Sequence, residues 1–522
     1  MAITKVTGGL LGNLAVGTNN VALGDGALDD GSLSGGNNTA IGSGALTANT
    51  TGQYNTALGS FALDSNTTAN NNIAIGYAAL DANTTGAGNV AIGVTALDAN
   101  TTANNNTAIG TSALGANTTG DRNVAVGASS LDANTVGARN VAIGYQALTT
   151  DTQGSRSVAI GHNALSVQNF TSATDSFNTA VGHEAGAAVT TGVQNTLIGG
   201  LAGDAITTGS NNTAVGYATL TENTVSNNTA VGHKALLANT TGSENVAVGA
   251  LAADANTTGI NVTAIGYGAL TANTTANNGT AVGKNALAAN TTGGSNTAIG
   301  KDALVNNTTA SDNVSVGKDA GASITTGSNN TVIGSAAGVT GVALTTGGQN
   351  VLIGTHCHSS AVDSVYANGI GYNISAAGGY TTLGEDTADI RAAHGVATWA
   401  TVSDERYKKE ITDSTTGLSF INALRPRTFK YKNLGELPET FRAYKEGSTE
   451  VFKNSNTNHG FIAQEVKAAI DADDSIKDGF KLWDDREDGS QEVAEAALIP
   501  VLVKAIQELS AEVEELKSRL GD

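Results

Sequence analysis

Two short segments contain side chains whose types and spacing are suited to chemistry. His356 and His358 flank the single cysteine, Cys357. An H-x-H pair contributed by each of three chains would gather imidazoles around an axial metal ion. Because the same pair is common in surface loops, we favour that interpretation and predict no metal and no cofactor. The second segment, Ser403–Glu410, combines one serine with several basic residues, and by itself it is typical of an exposed charged turn.

The composition changes near Gly384, so these two segments belong to different surroundings. The chain has 522 residues, 66 glycines and a net charge of −20. Charged residues are sparse before Gly384 and dense after it, and the three prolines all lie in the last quarter. A chain of this length is too long for one compact core, so we expect at least two structural units. Its acidity and lack of a basic patch predict no nucleic-acid partner, and no run approaches the roughly 18 apolar residues of a membrane span.

A pentad of the form N-[T/V]-A-[I/V/L]-G dominates the first part of the chain. Most of its copies follow one another at intervals of 17 residues, as in the unit Asn55–Asn71. Self-similarity at such a fixed period is typical of solenoid proteins. The pentad glycines are Gly24, Gly42, Gly59, Gly76, Gly93, Gly110, Gly127, Gly144, Gly161, Gly182, Gly199, Gly216, Gly232, Gly249, Gly266, Gly283, Gly300, Gly317, Gly334 and Gly354.

Each pentad predicts a short β-strand that stacks on its copies in neighbouring units. Val90 and Ile92 fall on one face of such a strand, whereas Ala91 points the other way. Clusters such as Asn49-Thr50-Thr51-Gly52 have turn chemistry. Each unit therefore predicts one rung of a parallel β-solenoid, and rungs about 4.8 Å apart would give a rod on the order of 100 Å long.

The size of the apolar core in each rung indicates how many chains are expected to assemble. Each rung has only two or three large apolar side chains, such as Leu97 and the branched strand residues. This is too thin a core for a single chain, so we expect the column of strand alanines to be an interface among three chains. The aspartates that follow the leucines are interpreted as solvated turn residues rather than cation or sugar contacts; they include Asp64, Asp81, Asp98 and Asp132.

The repeat units resemble the head repeats of trimeric autotransporter adhesins. Those strands have the pattern N-[S/T]-V-A-I-G, which is matched by Asn89–Gly93 and Asn140–Gly144. The resemblance covers roughly residues 13–354 and implies a left-handed, trimeric β-roll. Such adhesins also need a signal peptide and a membrane-anchoring barrel, which this sequence does not predict, so a bacterial surface adhesin is kept as an alternative only.

Three segments in the last part of the chain resemble the peptidase S74, or intramolecular chaperone, domain of phage tail fibres, tailspikes and endosialidases. They are S-D-x-R-x-K at Ser403–Lys408, N-A-L-R-P-x-x-F-K-Y at Asn422–Tyr431 and G-F-I-A-Q-E-V at Gly460–Val466. Their order and spacing are those of the family. The resemblance implies that this domain helps three chains find their register and then cuts itself off at the Val402–Ser403 bond.

The same resemblance assigns Ser403 as nucleophile and Lys408 as general base. A serine hydroxyl is a poor nucleophile until a base such as a neutral, desolvated lysine takes its proton. Neither a helix nor a strand brings residues five apart together, so a turn, or a lysine from a neighbouring chain, must close the site. Supporting roles are implied for Asp404, Arg406, His459, Gln464 and Glu465.

The end of the chain predicts a helix with an apolar seam for trimerisation. The seam residues alternate three and four positions apart, which is the a/d pattern of coiled coils. Glu508 and Glu512 lie between them and are expected to be solvated. The seam residues are Ile499, Leu502, Ile506, Leu509, Val513, Leu516 and Leu520.

These patterns predict a mainly β fold. It comprises a trimeric parallel β-solenoid, a left-handed β-roll with 17-residue rungs, and a small α+β chaperone domain that ends in a coiled-coil helix. The predicted parts are an N-terminal attachment segment at 1–19, the β-roll at 20–354, a transition and linker at 355–402 and the chaperone domain at 403–522.

We therefore predict a bacteriophage tail fibre or spike whose only enzyme activity is one self-cleavage. The expected partners are two further copies of the chain, other tail proteins and a host surface receptor, either glycan or protein. The N-terminus has no signal-peptide pattern, so we expect synthesis in the host cytoplasm and location in the virion. A glycan-degrading tailspike is the other alternative, and its paired carboxylates would need an insertion such as Asn169–Phe177 or Gly338–Leu344.

Overall fold

A computed structural model describes residues 19–386, 388–396, 403, 405–441, 443–476, 480, 482–485 and 489–521. The chain divides into two compact units, Met1–Val402 and Ser403–Asp522. The first unit is mainly β and the second is a small unit of helices and short hairpins. The predicted attachment segment at 1–19 lies outside the described residues except for its last position.

The first unit is a parallel β-solenoid with the 17-residue repeat that the sequence predicts. Neighbouring strands are parallel and in register, so that Val90, Ala91 and Ile92 pair with Thr107, Ala108 and Ile109. The ladder strands are Val21–Leu23, Thr39–Ile41, Thr56–Leu58, Ile73–Ile75, Val90–Ile92, Thr107–Ile109, Val124–Val126, Val141–Ile143, Val158–Ile160, Thr179–Val181, Thr196–Ile198, Thr213–Val215, Thr229–Val231, Val246–Val248, Thr263–Ile265, Thr280–Val282, Thr297–Ile299, Val314–Val316, Thr331–Ile333 and Val351–Ile353. Two further parallel pairs are Gly154–Ser155 with Thr174–Asp175 and His358–Ser359 with Ser375–Ala376.

Alanine and leucine fill the interior of each rung. Ala91, Ala96 and Leu97 are fully buried within one chain. The prediction that the strand alanines form an interface between chains was therefore wrong. Because strand side chains alternate, an inward alanine places the branched residues at the second and fourth positions on the outer face, where Ile109 and Ile143 are exposed.

The glycine that ends each pentad lies where neighbouring rungs approach most closely. Gly93 has a φ of +142°, and a Cβ at this position would overlap the carbonyl oxygen of Gly110. Such a φ is rare for a residue with a side chain, and the space beside Gly93 is already filled by backbone. Both reasons require glycine at this point of the rung.

Two columns of buried asparagines join the rungs through hydrogen bonds. In the first column, the Asn72 backbone N–H donates to Asn55 Oδ1 at 3.0 Å, and Asn72 Nδ2 donates to the Gly86 carbonyl oxygen at 2.9 Å. In the second, Asn83 Nδ2 donates to Asn66 Oδ1 at 3.1 Å. These amides satisfy backbone groups that would otherwise be buried without partners. Asn66 and Asn83 are the equivalents of Asn49, so the first residue of each predicted turn cluster belongs to the interior.

The ladder continues past Gly354, into the region predicted as a transition and linker. Val351–Ile353 pairs in parallel with Asn368–Tyr372, which pairs in parallel with Tyr380–Glu385. The next strand, Ala388–Ala393, pairs antiparallel with Tyr380–Glu385. This terminal hairpin reverses the strand direction at the end of the ladder.

In the described residues of the second unit, three α-helices surround a small apolar core. They are α1 at Leu418–Ala423, α2 at Ala463–Asp471 and α3 at Leu498–Leu520. The antiparallel strand pairs are Arg427–Phe429 with Asn458–Gly460 and Trp483–Asp485 with Gln491–Val493, and single 3-10 turns span Glu405–Tyr407, Leu434–Glu436 and Glu495–Ala497. The core residues are Phe420, Leu424, Val466, Ile470, Leu482, Leu498 and Val501. Across the described parts of the chain, no helix has the length and apolar character needed to cross a membrane.

Candidate active site and assembly surfaces

The first residues of the second unit bring a serine and a lysine into hydrogen-bonding contact. Lys408 Nζ lies 2.8 Å from Ser403 Oγ. The single 3-10 turn Glu405–Tyr407 separates them, and the backbone N–H of Lys408 donates to the Glu405 carbonyl oxygen at 2.9 Å. A turn within one chain therefore closes the five-residue separation that regular secondary structure cannot close.

The chemistry available to this pair depends on its surroundings. A Ser–Lys contact of this length is within the range in which a base takes a hydroxyl proton. Ser403 and Lys408 are both exposed in the single chain. A lysine acts as a base only when it is neutral, and desolvation favours that state. The exposed pair therefore has the contact that catalysis needs, but in the single chain it is not shielded from water.

The other residues implied by the family resemblance are placed on several elements. Arg406 lies in the 3-10 turn and is exposed. His459 is exposed on the strand Asn458–Gly460, opposite Thr428, and Gln464 is exposed near the start of α2. Val402 and Asp404 lie outside the described residues.

Glu465 joins two of the three segments that carry the resemblance. Its carboxylate accepts from Arg427 Nε at 2.9 Å, also pairs with the terminal guanidinium nitrogen of Arg427, and lies 3.5 Å from Arg425. The hydrogen bond from Arg427 lowers the pKa of Glu465. The family resemblance implied a supporting role for Glu465 but not its arginine partners, although both arginines lie in the matched segment Asn422–Tyr431.

Glu508 connects α3 to α1, which corrects its predicted place on a solvated face. Its Oε2 accepts a hydrogen bond from the backbone N–H of Leu418, the first residue of α1, at 2.7 Å. This contact satisfies one of the free N–H groups at a helix start, and it lowers the pKa of Glu508. The seven-residue pattern identified the seam but gave no signal for this contact, because the two helices are distant in sequence.

Helix α3 divides its apolar residues between two faces. Leu498, Val501 and Ala505 are buried in the second unit. The seam residues are 42–80% exposed in the single chain; they are Ile499, Leu502, Ile506, Leu509, Val513, Leu516 and Leu520. An apolar row of this length on a solvent-facing helix is typical of an interaction surface.

The outer face of the solenoid ladder is a second exposed apolar surface. Side chains at the second and fourth strand positions line up from rung to rung because the strands are in register. The more exposed members of this face include Ile73, Ile109, Ile143, Ile198, Val246, Val248, Ile265, Ile299, Val314 and Ile333. The stacked strands thus present a row of exposed apolar side chains, a few from each rung, along the outer face of the ladder.

The two histidines considered as metal ligands are part of a late rung. His358 Nδ1 lies 3.1 Å from the carbonyl oxygen of His356, and the His358 ring fills the space beside Gly341. Cys357 between them is buried, and burial raises the pKa of its thiol to about 11. These positions fit packing within the rung better than a shared ligand set.

The two insertions in the repeat carry few carboxylates. Asp175 is the single acidic residue of Asn169–Phe177, and it forms an ion pair with Arg156 at 2.9 Å. Gly338–Leu344 has no acidic residue. Because a glycosidase needs a pair of carboxylates flanking its substrate, neither insertion supplies that pair on its own.

Comparison with known proteins agrees with the C-terminal resemblance. A search of curated proteins gave no match. Residues 403–474, which begin at the serine of the Ser–Lys contact and include α1 and α2, match the Peptidase_S74 family, described as the chaperone of endosialidase.

Proposed function

We propose that this protein is a homotrimeric bacteriophage tail fibre or spike whose C-terminal unit directs assembly and then cuts itself off. The observation that carries the proposal is the 2.8 Å contact between Lys408 Nζ and Ser403 Oγ at the start of the family match. The match supports a chaperone role in trimerisation, and the long solenoid supports a fibrous product.

The proposed cleavage breaks the bond between Val402 and Ser403. Lys408 takes the hydroxyl proton while Ser403 Oγ attacks the carbonyl carbon of the preceding residue. The C–N bond breaks, an ester forms on Oγ, and the proton passes to the freed amine of Ser403. Water then hydrolyses the ester, which leaves a carboxylate on Val402 and restores the serine hydroxyl.

Assembly is proposed to activate this site. The exposed Ser–Lys pair needs cover from water before Lys408 can act as a base. The α3 seam and the outer face of the ladder each offer an apolar surface to two other copies of the chain. Packing there would bury the seam and exclude water from groups near it, so that cleavage follows correct assembly.

The solenoid is proposed to serve as the shaft and host-attachment region of the virion. Its regular rungs give length, and variable residues at the turns give a surface for a glycan or protein receptor. Other tail proteins would hold the fibre on the particle.

A denaturing gel tests the cleavage. The wild-type chain is expected to give pieces of 402 and 120 residues, whereas Ser403→Ala and Lys408→Ala stay at full length. Lys409→Ala is the matched control, because it removes the neighbouring exposed lysine, and it should cut normally. Full-length wild type would remove the protease assignment, and cleavage of Ser403→Ala would remove this mechanism.

Analytical ultracentrifugation tests the seam. In the uncut Ser403→Ala chain, adding Ile506→Asp and Leu509→Asp should reduce the trimer at equal concentration. Gln507→Asp places the same side chain on an exposed position beside the seam and should leave the trimer intact. Trimers of unchanged stability in the double variant would show that the α3 seam is not the contact.

A further inference from the structure

The longest interval in the repeat, 21 residues between Gly161 and Gly182, places two histidines at equivalent positions in adjacent rungs. His162 follows the first glycine and His183 follows the second. The strands before them, Val158–Ile160 and Thr179–Val181, are parallel and in register. The ladder therefore fixes the separation of the two backbones, and each imidazole starts from the same point of its rung.

The two imidazoles and a carboxylate form one compact group on the surface. The rings of His162 and His183 are stacked, with centroids 5.2 Å apart and planes at 7°. Glu184 Oε2 lies 3.9 Å from His183 Nδ1, and the Glu184 backbone N–H donates to the His162 carbonyl oxygen at 2.9 Å. One potential ligand atom from each of the three residues lies within 4.8 Å of the other two.

The charge around this group favours a cation. Asp204 lies close enough to Glu184 for the two carboxylates to interact electrostatically. Its Oδ1 is buried without a hydrogen-bond partner among the described residues. The Arg156 guanidinium, which precedes His162 by six residues in the chain, is paired with Asp175. Two carboxylates thus accompany the two imidazoles.

We propose that His162, His183 and Glu184 bind one divalent transition-metal ion per chain, with Zn²⁺ as the fitting probe. Imidazole nitrogen with a carboxylate oxygen suits Zn²⁺ rather than Ca²⁺ or Mg²⁺, which prefer all-oxygen sites. Three protein ligands leave the fourth tetrahedral position to water. The buried thiol of Cys357 does not compete for the ion.

Binding requires only side-chain movement. Tetrahedral Zn²⁺ with bonds of about 2.0–2.1 Å needs donor atoms about 3.3 Å apart. Imidazole lone pairs lie in the ring plane, so the two rings must turn out of their stack to point at one ion. Both histidines are exposed and can turn, while the ladder holds the backbone. The bound ion would link the rungs on either side of the insertion.

Zn²⁺ titration calorimetry on the protein as it is expressed tests the site. Wild type is expected to bind one Zn²⁺ per chain, and His162→Ala or His183→Ala should lower the affinity at least ten-fold. Glu184→Gln should lower it less. His233→Ala is the matched control, because His233 has the same rung position and stacks on Tyr217 with centroids 5.8 Å apart, but has no histidine at the equivalent position of either adjacent rung.

Two results would overturn the proposal. One is wild-type binding no tighter than that of a His162→Ala/His183→Ala chain that melts at the same temperature without metal. The other is an equal loss of affinity in His233→Ala. Co²⁺ provides an independent readout, because the wild type and His233→Ala should show the visible absorption of tetrahedral Co²⁺ and both single histidine variants should not.

Discussion

The solenoid repeats each of its stabilising contacts at nearly every rung, whereas the C-terminal unit depends on contacts that occur once. The Asn72 side chain bridges rungs in the same way as its neighbours in the column, while Glu465 with Arg427 and Glu508 with Leu418 each join one pair of elements. A repeated contact lets a weak core extend to any length. A single contact fixes one arrangement of helices, which suits the chaperone role proposed for this unit.

The two regions also differ in how they shift the pKa values of particular carboxylates. In the solenoid, burial raises the pKa of Asp151, whose oxygens accept from Gln168 Nε2 and the Gly154 backbone N–H. In the C-terminal unit, hydrogen bonds to the charged form lower the pKa values of Glu465 and Glu508. At Asp151 the solenoid therefore carries buried negative charge at a cost in folding free energy. The C-terminal unit uses the charged forms of Glu465 and Glu508 to join its elements.

The largest expected effect comes from filling the close approach between rungs. Gly93→Ala puts a Cβ against the Gly110 carbonyl oxygen in a backbone conformation that alanine rarely adopts. We expect it to lower the free energy of unfolding by roughly 4 kcal/mol or more, measured by chemical denaturation. Gly447→Ala in the C-terminal unit is the control: its φ is +67° and no described atom lies within 4 Å of the added Cβ, so about 1–2 kcal/mol is expected. Equal losses would contradict the comparison.

A smaller effect follows from breaking one asparagine column. Asn72→Leu removes the acceptor for the Asn89 N–H and the donor to the Gly86 carbonyl oxygen. Each buried group left without a partner costs about 1–2 kcal/mol, which denaturant unfolding would detect. Asn70→Leu should cost less than about 1 kcal/mol, because Asn70 is exposed and water can replace its contact. A similar loss of stability from both changes would contradict the larger contribution assigned to the buried asparagine column.

The same column lacks an asparagine at Val262, and supplying one there is expected to increase stability. Val262 stands at the column position that Asn245 occupies in the preceding rung and Gly279 in the following rung, so its side chain offers no acceptor to the next rung. Val262→Asn should supply an acceptor for the Gly279 N–H and a donor to the Ala276 carbonyl oxygen. We expect stabilisation of about 1 kcal/mol, measured as a higher unfolding midpoint, and a lower midpoint would contradict the role given to the column.

The smallest expected effect is that acidification changes the stability of the two regions in opposite directions. Unfolding releases Glu465 and Glu508 to ordinary pKa values, so the stability they give is present above about pH 4.3 and is lost as the pH falls through their lowered folded pKa values. Solenoid aspartates with raised pKa values act oppositely, because the folded state takes up protons first and stability rises as the pH falls through those values. They are Asp81, Asp98, Asp132, Asp151 and Asp204.

Hydrogen exchange of the uncut Ser403→Ala chain between pH 7 and pH 3 measures both regions at once. After correction for intrinsic exchange, protection should fall in α1 and α3 and hold or rise in rungs near Asp98 and Asp151. Asp30 and Asp302 have lowered pKa values, so their rungs serve as internal controls with the opposite sign. Parallel loss of protection everywhere would contradict the predicted difference.

The sequence predicted the rung well, because the pentad and its spacing repeat the same physical demands many times. It did not predict which strand face is the interior. Ala91 and Ile92 are both apolar, and alternation alone separates the faces without orienting them. The 17-residue coil has room inside only for small or slender side chains such as alanine, leucine and asparagine, a limit that appears only once the coil is closed. The same closure makes the Asn66 column structural rather than part of a turn.

At the candidate active site, the family resemblance predicted the Ser–Lys pair, and helix and strand geometry predicted that a turn or another chain must join it. The local 3-10 turn Glu405–Tyr407 makes the contact within one chain, and the residue types of this segment gave no reason to prefer that solution. Contacts between distant parts of the chain, such as Glu508 with Leu418, left no local pattern to detect. They form only when α1 and α3 pack together.

The terminal hairpin has a consequence for how far the parallel ladder can extend. A stack of parallel strands ends in a row of unpaired backbone groups, and such an edge can recruit the first rung of another molecule. Tyr380–Glu385 is paired on its far side with an antiparallel strand, Ala388–Ala393, so the next solenoid finds no parallel partner there. The hairpin thus acts as a stop against head-to-tail polymerisation through this edge, and it limits each ladder to the rungs of one chain.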